Sequence, residues 1–375
     1  MTISFARSGR STVGLEWELM LADARTGDLV PAAPAILDEL GAHLGITGEL
    51  LTNTVEVISE PRSRVADAVA DLRLRIDTVR MAAHLRDVVL LSSGSHPFAR
   101  WNDQQITQKT RYHTLVERTQ WWGRNMMIWG IHVHIGVDDV RKVIPIVDEL
   151  TTYLPHLQAL SASSPFWAGE ETGYASNRAL VFQQLPTAGL PWALGDWADF
   201  ERYVADLVHT GVIDDVTEVR WDVRPAPRWG TIEVRACDAV SNPLELSAIA
   251  ALVQCLVEWI SRRLDAGEQL RSLPPWFHRE NKWRAARYGM DVITISDADA
   301  RELTVREHLR ELLPVLEPIA ADLGCLTELA GVHDILAVGA GYQRQLRAAH
   351  AAGGDLRAVV RHLIAEFDAE RPLAP

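Results

Sequence analysis

The stretch TVGLEWELMLAD, residues 12 to 23, decides how this chain is read. Apolar residues alternate there with Gly14, Glu16 and Glu18, and strand side chains at i and i+2 share a face, so an apolar strand carries two glutamates on one side. Two carboxylates this close are costly to ionise together unless a cation or a strong donor sits between them. A strand whose solvent face carries glutamates produces the same spacing. Three further stretches repeat the pattern. GELLTNTVEVISEP, residues 48 to 61, holds Glu49, Glu56 and Glu60 in a β-rich run that also reads as an edge strand with its charges outward. GIHVHIGV, residues 130 to 137, puts His132 and His134 on one face, suited to a metal or a phosphate. WDVRPAPRWGTIEVRACD, residues 221 to 238, alternates Glu233 and Arg235 with Ile232, Val234 and Ala236, after Asp222, Arg224 and Arg228 across a Pro-Ala-Pro turn. A cross-strand salt-bridge ladder is the plain alternative for that piece.

Four β segments that each aim carboxylate, imidazole or guanidinium to one side are expensive unless those sides meet around something polyvalent, which points to a metal-nucleotide cluster. Glutamates outnumber histidines and no cysteine joins them, so Mg²⁺ or Mn²⁺ is expected ahead of zinc. A zinc hydrolase built on His132 and His134 lacks a third ligand, and HExxH is absent. No GxxxxGK[ST] or GxGxxG occurs, and GAGYQR at 339 to 344 fails the glycine spacing, which excludes a simple P-loop or Rossmann reading.

The remaining features set the frame. The 375 residues contain no repeat, low-complexity tract or Pro/Gly/Ser linker, so one domain is expected, with a sheet-containing core over about 10–268 and a mostly helical part over about 269–375. The net charge of −13 repels nucleic acid and anionic membrane. Cys237, Cys255 and Cys325 make no metal-like pair and are too few for a disulfide framework, and no apolar leader or run of eighteen apolar residues is present, so a cytoplasmic protein is expected. Val65 to Ala83 steps by three and four as a helix capped near Ser63, and a second, deeply buried helix starts at Asn242-Pro243. Residues from about 296 read as consecutive helices, the first bent or broken by Pro314 and Pro318. SASSPFWAGEETGYASNR, residues 161 to 178, reads as a long ordered loop whose Arg178 is a candidate carboxylate clamp. GSHPFARWNDQQITQKTRY, residues 94 to 112, is expected to border the same cavity. HRENKWRAARYG, residues 278 to 289, places Lys282, Arg284 and Arg287 on a short helix that either receives phosphate or is simply solvated. Tryptophan is overused at 13 residues, and Trp17, Trp101, Trp129, Trp167, Trp221, Trp229 and Trp283 lie in or beside the polar stretches, as cavity walls or strand backing.

Taken in order, TVGLEWEL, TVEVISEP, GSHPFARW, GIHVHIGV, LSASSPFWAGEETGYASNR, LPTAGLP, WDVRPAPRWGTIEVRACD and ENKWRAARYG resemble the glutamate-cysteine ligase type 2, or carboxylate-amine ligase, family over about residues 12 to 350. The resemblance implies an α+β fold related to glutamine synthetase and the guanido kinase catalytic domain: a cupped, mostly antiparallel sheet holding ATP and divalent metals, with helices outside. It implies Glu16, Glu18, Glu49, Glu56, His132 and Glu233 as metal ligands for two or more Mg²⁺ or Mn²⁺ ions. Arg235 would contact the transferred phosphoryl group with Glu233 beside it, and Arg178 a substrate carboxylate, with Arg224, Arg228, Arg284, Arg287 and His134 as further substrate or ATP contacts. Trp17 stands where relatives often carry an acid, but alternation turns it to the opposite face; Asn53 is neutral where some distant relatives have an acid, which leaves amine specificity open. The implied reaction joins glutamate to cysteine or another amine through a γ-glutamyl phosphate made from ATP. The partners are then small molecules, with neither nucleic acid nor membrane among them, and self-association into a homo-oligomer stays open. The alternative on this scaffold is a non-catalytic nucleotide or amino-acid binding protein.

Overall fold

The computed structural model describes residues 2–41, 45–270 and 273–374. Its main sheet has seven strands: β1 (Val13–Asp23), β2 (Ile46–Gly48), β3 (Thr54–Ile58), β4 (Val88–Leu91), β5 (Ile131–Gly136), β6 (Val223–Ala226) and β7 (Thr231–Val234). They run β2-β3-β1-β5-β7-β6, with β4 also on β1, and every one of these pairings is antiparallel. β1 is long enough to pair with β3, β5 and β4 along its length. Its register sets Glu18 opposite Glu56 and Glu16 opposite His132, while His134 stands opposite Glu233 and Glu233 opposite Arg224. Antiparallel partners share a face, so the polar residues of five strands gather on one side.

The opposite side is apolar throughout: Val13, Leu15, Trp17 and Leu19 of β1, Val55 and Val57 of β3, Ile131, Val133 and Ile135 of β5, and Ile232 and Val234 of β7 are all buried. Behind them lies the helix Pro243–Asp265, begun by the Asn242 side chain accepting from Glu245 N and packed against β1 and β5. By length and composition it would cross a bilayer, but 83% of its apolar window is buried inside the protein. The helix Val65–His84 covers β1, β3 and β4; its N-cap is Arg64, one residue past the expected Ser63, and makes no side-chain cap bond.

Three local expectations are corrected. Residues 161–178 are not a plain loop: Phe166–Trp167 pairs with Glu170–Glu171, and Ser176 then caps the helix Asn177–Phe182, which puts Arg178 in a first turn. Helix does not begin near 296; a hairpin of Ile293–Ile295 and Glu302–Thr304 intervenes, and the Thr304–Glu307 capping box starts the helix at Val305. That helix runs unbroken to Leu323 through Pro314 and Pro318, because both prolines sit on its exposed side while Leu309, Leu312, Leu313, Leu316 and Ile319 are buried on the other. The carbonyls freed by proline can therefore be hydrated. One apolar cluster includes Val13 of β1, Leu252 of the core helix, Val332 of the helix Leu326–Val338 and Phe367 of the helix Leu356–Ala369.

A buried ionic triad ties these layers together. Arg344, fully buried on the helix Gly341–Ala351, donates from Nη1 to Glu245 Oε1 at 2.7 Å and from Nε to Glu366 Oε1 at 2.6 Å. Arg344→Met leaves two buried carboxylates without their cation and is expected to cost about 3–5 kcal/mol in urea unfolding. His96 supplies a pH-dependent contribution. Its Nε2–H donates to Gly27 O at 2.9 Å and its Nδ1 accepts from Ala99 N at 3.1 Å, which fixes the neutral tautomer, and burial pulls its pKa from 6.5 to about 4. An unfolded chain takes up the proton that the folded imidazole refuses, so this stability is fully present above pH 6.5 and is lost as the pH falls toward 4. Wild type should show a stability-versus-pH slope one proton steeper than His96→Gln across that window, read from urea midpoints.

Candidate active site

The polar face of the sheet opens onto a cavity of about 720 Å³ lined by Glu18, Glu49, His132, Arg178, Arg224 and Arg235 among others. A narrower pocket of about 150 Å³ is bordered by Glu16, His134, Arg228, Trp229 and Glu233, and Arg224 and Arg235 line both. Glu16 is the hub. His132 Nδ1 donates to its Oε2 at 2.6 Å, and His134 Nε2 lies 3.3 Å from its Oε1 without forming a hydrogen bond. The other nitrogen of His134 is held 2.9 Å from Thr231 Oγ1, which aims Nε2 inward.

Two donor sets share Glu16: Glu16 with His134 and Glu233, and Glu16 with Glu56 and His132, each with ligand atoms within 4.8 Å of one another. Each offers two carboxylates and one imidazole. Together with the orphaned His134 Nε2, this chemistry fits oxygen-preferring divalent ions. The electrostatics agree. Burial, then the charges of Glu16, Glu49 and Glu18, push the Glu56 carboxyl well above its ordinary range. Burial, reinforced by Glu49, raises Glu18 to about 7, although Gly130 N donates to its Oε2 at 2.6 Å. Glu49 is likewise raised by burial. In Glu16 burial opposes ionisation, but the hydrogen bond from His132 and the nearby His134 imidazole outweigh it and lower its pKa. Glu233 is also ionised against burial, because Arg224 and Arg235 flank it and hold it well below the carboxylate range. Arg224 Nε donates to Glu233 Oε2 at 2.7 Å, and Arg235 Nη1 contacts Oε1. Burial pulls the His132 pKa to about 4, with the Arg235 charge adding to it, so that ring is neutral at physiological pH.

Arg178 reaches the same cavity from the helix Asn177–Phe182. Its Nη1 donates to Arg235 O at 3.1 Å, and a Cβ at Gly130 would lie 2.2 Å from its Nη2, so only glycine leaves the guanidinium room. Although 3% exposed, Arg178 forms no ion pair with a carboxylate among the described residues.

Of the residues expected from the sequence, the structure gathers Glu16, Glu56, His132 and Glu233 into donor sets, adds His134 to them, and places Glu18 and Glu49 in the adjoining cavity wall outside both sets. Glu56 is on an inner strand, not an edge, since β3 lies between β2 and β1. Arg228 sits at the narrow pocket over the Trp229 ring, 4.8 Å from its centroid. Arg284 and Arg287 are corrections, because neither lines either of these two pockets: Arg284 is taken by Glu280 and Glu302, and Arg287 by Gly173 O and the rings of Tyr174 and Tyr288. Lys282 is buried against Asp222 at 2.6 Å, and Asn53 Nδ2 donates to Gln104 rather than facing the cavity. Of residues 94–112, only the end borders the cavity, through Thr110, Arg111 and Tyr112.

Sequence reasoning missed Arg111 and Arg118, which line the cavity with Thr114 and Leu115 from the helix Thr110–Thr119. The i, i+3, i+4, i+7 spacing of these four was the available signal. Phe182 was missed too, and nothing but its place beside Arg178 marked it. Tryptophans back the sheet rather than wall the large cavity: Trp17 and Trp129 are buried, their Nε1 groups 2.8 Å from Ser92 Oγ and Thr54 Oγ1, and of the tryptophans Trp229 alone borders either of these two pockets, the narrow one.

An antiparallel sheet with carboxylates, imidazoles and guanidiniums converging on one side and helices on the other is the architecture of a carboxylate-amine ligase. The chain belongs to glutamate-cysteine ligase family 2, whose sequence profile matches residues 12–362. It is 58% identical over 370 residues to a protein of Leifsonia xyli subsp. xyli named "Putative glutamate--cysteine ligase 2", covering 97% of this chain and 98% of that one. A protein of the same name from Mycobacterium ulcerans is 54% identical over 366 residues, covering 98% and 93%. Among solved structures, the glutamate-cysteine ligase of Francisella tularensis in complex with AMP aligns with a TM-score of 0.66 at 15% identity, over 99% of this chain and 91% of that one. A bifunctional glutathione synthetase of Pasteurella multocida aligns at 0.68 and 15%, over 96% and 52%. The α+β, glutamine synthetase-like fold expected from the sequence is the fold found, and the protein is a ligase.

The opposite environments of two carboxylates yield a discriminating pair of variants. Burial and the neighbouring carboxylates disfavour the ionised form of Glu56, so Glu56→Gln should leave metal-free stability unchanged while weakening Mn²⁺ binding at least ~10-fold by calorimetry. Glu233→Gln instead strands two buried guanidiniums and should lose about 3 kcal/mol of stability as well.

Proposed function

We propose that this chain catalyses ATP-dependent formation of a γ-glutamyl amide. A γ-carboxylate oxygen of glutamate attacks the γ-phosphorus of ATP and ADP leaves; the amine nitrogen then attacks the acyl carbon, phosphate leaves, and the nitrogen gives up a proton. The observation that carries this reading is the pair of donor sets sharing Glu16, with Arg235 lining both of the adjoining pockets that their residues border. Phosphoryl transfer asks little covalent chemistry of a protein, and asks instead for cations and donors placed where charge develops. Membership of the family supports the reading, as does the AMP held by the Francisella tularensis enzyme of like fold.

Glu16, Glu56, His132, His134 and Glu233 would hold Mg²⁺ or Mn²⁺, with Glu18 and Glu49 completing the negative wall. Ions held there would supply positive charge to offset the negative charge that develops on the transferred phosphoryl group. Arg235, its backbone N bonded to Asp222 O at 2.8 Å and its side chain braced by Glu233, presents a fixed guanidinium to the transferring phosphoryl group. Arg224 occupies the second oxygen of Glu233 and keeps that carboxylate oriented. Arg178, buried and without an acidic partner among the described residues, would pair bidentately with a carboxylate of glutamate.

Purified protein given MgATP, glutamate and a panel of amines that includes cysteine should release ADP and form one amide, detected by mass, in preference to the rest. No ADP above background with any amine would sink this proposal.

A further inference from the structure

Two guanidiniums share one aromatic ring in the large cavity. Arg178 Cζ lies 5.5 Å from the centroid of Phe182 and Arg235 Cζ lies 5.9 Å from it, both within the range over which a ring face attracts a cation. Each of these arginines also has an Nε–H that is buried with no hydrogen-bond partner. Such a group is costly to leave unmet, and a nearby ring face can offset part of that cost. Two like charges held this close repel; Arg178 Nη1 is nevertheless bonded to the backbone carbonyl of Arg235, so the fold fixes their separation. Phe182 is not part of the main core. It belongs to a small apolar cluster with Met126 and Leu185 at the cavity wall, and it lines the cavity itself.

We infer that Phe182 is a positioning residue: its ring holds Arg178 and Arg235 side by side as a two-cation clamp, one for the substrate carboxylate and one for the transferred phosphoryl group. This rests on the ligase reading for the identity of the two anions, while the clamp itself is a property of the three side chains. The helix Asn177–Phe182 contributes one cation and the ring, since Arg178 and Phe182 are four residues apart and therefore share a helical face.

The test separates the ring face from mere apolar bulk. Phe182→Leu keeps an apolar side chain and removes the π face; Phe182→Tyr keeps both; fluorinated phenylalanines at position 182 keep the shape and drain the face stepwise. The probes are glutamate alone and inorganic pyrophosphate, titrated calorimetrically into the full-length protein without nucleotide, together with kcat and KM for amide formation. Phe182→Leu should weaken anion binding on the order of 10-fold, given the usual strength of two such contacts, and lower kcat/KM at least as much. Phe182→Tyr should stay within about 2-fold of wild type, fluorination should weaken binding in graded steps, and thermal unfolding should not move. Wild-type affinity in Phe182→Leu, an equal loss in Phe182→Tyr, a flat fluorination series, or no binding of either anion by wild type would each overturn the inference. Graded anion binding in a protein that forms no amide would overturn the ligase reading alone.

Discussion

The hydrogen bond between His132 and Glu16 across β1 and β5, 2.6 Å long, is the contact on which the site depends. It exists only in one register. A slip of one residue between these strands would turn every inward carboxylate and imidazole toward the helices and every Trp, Leu and Val toward water. The apolar side enforces the register, because Leu15, Trp17, Val133 and Ile135 have nowhere else to be buried. Packing on one face of the sheet therefore sets the geometry of the chemistry on the other.

The charges around that contact are deliberately unequal. Glu16 and Glu233 are ionised by their neighbours, whereas burial, reinforced by Glu16 and Glu49 around Glu56 and by Glu49 around Glu18, pushes those two toward the neutral form. Such a set has room for added positive charge, and a divalent ion reverses the local logic by favouring every ionised oxygen around it. The arginines have separate duties. Arg224 and Arg235 bracket one carboxylate, and Arg178 keeps its charge uncommitted to any acid among the described residues. Part of the net charge of −13 is in this way concentrated at a single place, with compensating guanidiniums within reach.

Rigidity comes from behind. The helix Pro243–Asp265 fills the apolar side, Trp17 and Trp129 lock their indole N–H groups onto hydroxyls of neighbouring segments, and Arg344 clamps the C-terminal helices to the start of that core helix. A site whose donors must be held to fractions of an ångström is built on strands that are backed in this way rather than on loops.

The sequence by itself determined the local facts: alternation in TVGLEWELMLAD and GIHVHIGV decided which side chains share a face, and the helices Val65–His84 and Pro243–Asp265 were legible from their periodicity, the second also from its Asn242 cap. Both follow from interactions a few residues long. Only the tertiary structure decided which of those polar residues meet. Glu16, Glu56, His132 and Glu233 come from four strands separated by up to about two hundred residues, and their proximity is a matter of strand order, which no local pattern encodes. The same reason explains the misplacement of Arg284 and Arg287, basic residues on one helix that are engaged by Glu280 of that helix, by Glu302 of the following hairpin and by the carbonyl of Gly173. It explains too why Phe182 was silent in the sequence: a phenylalanine reads as core until the fold sets two guanidiniums over its ring.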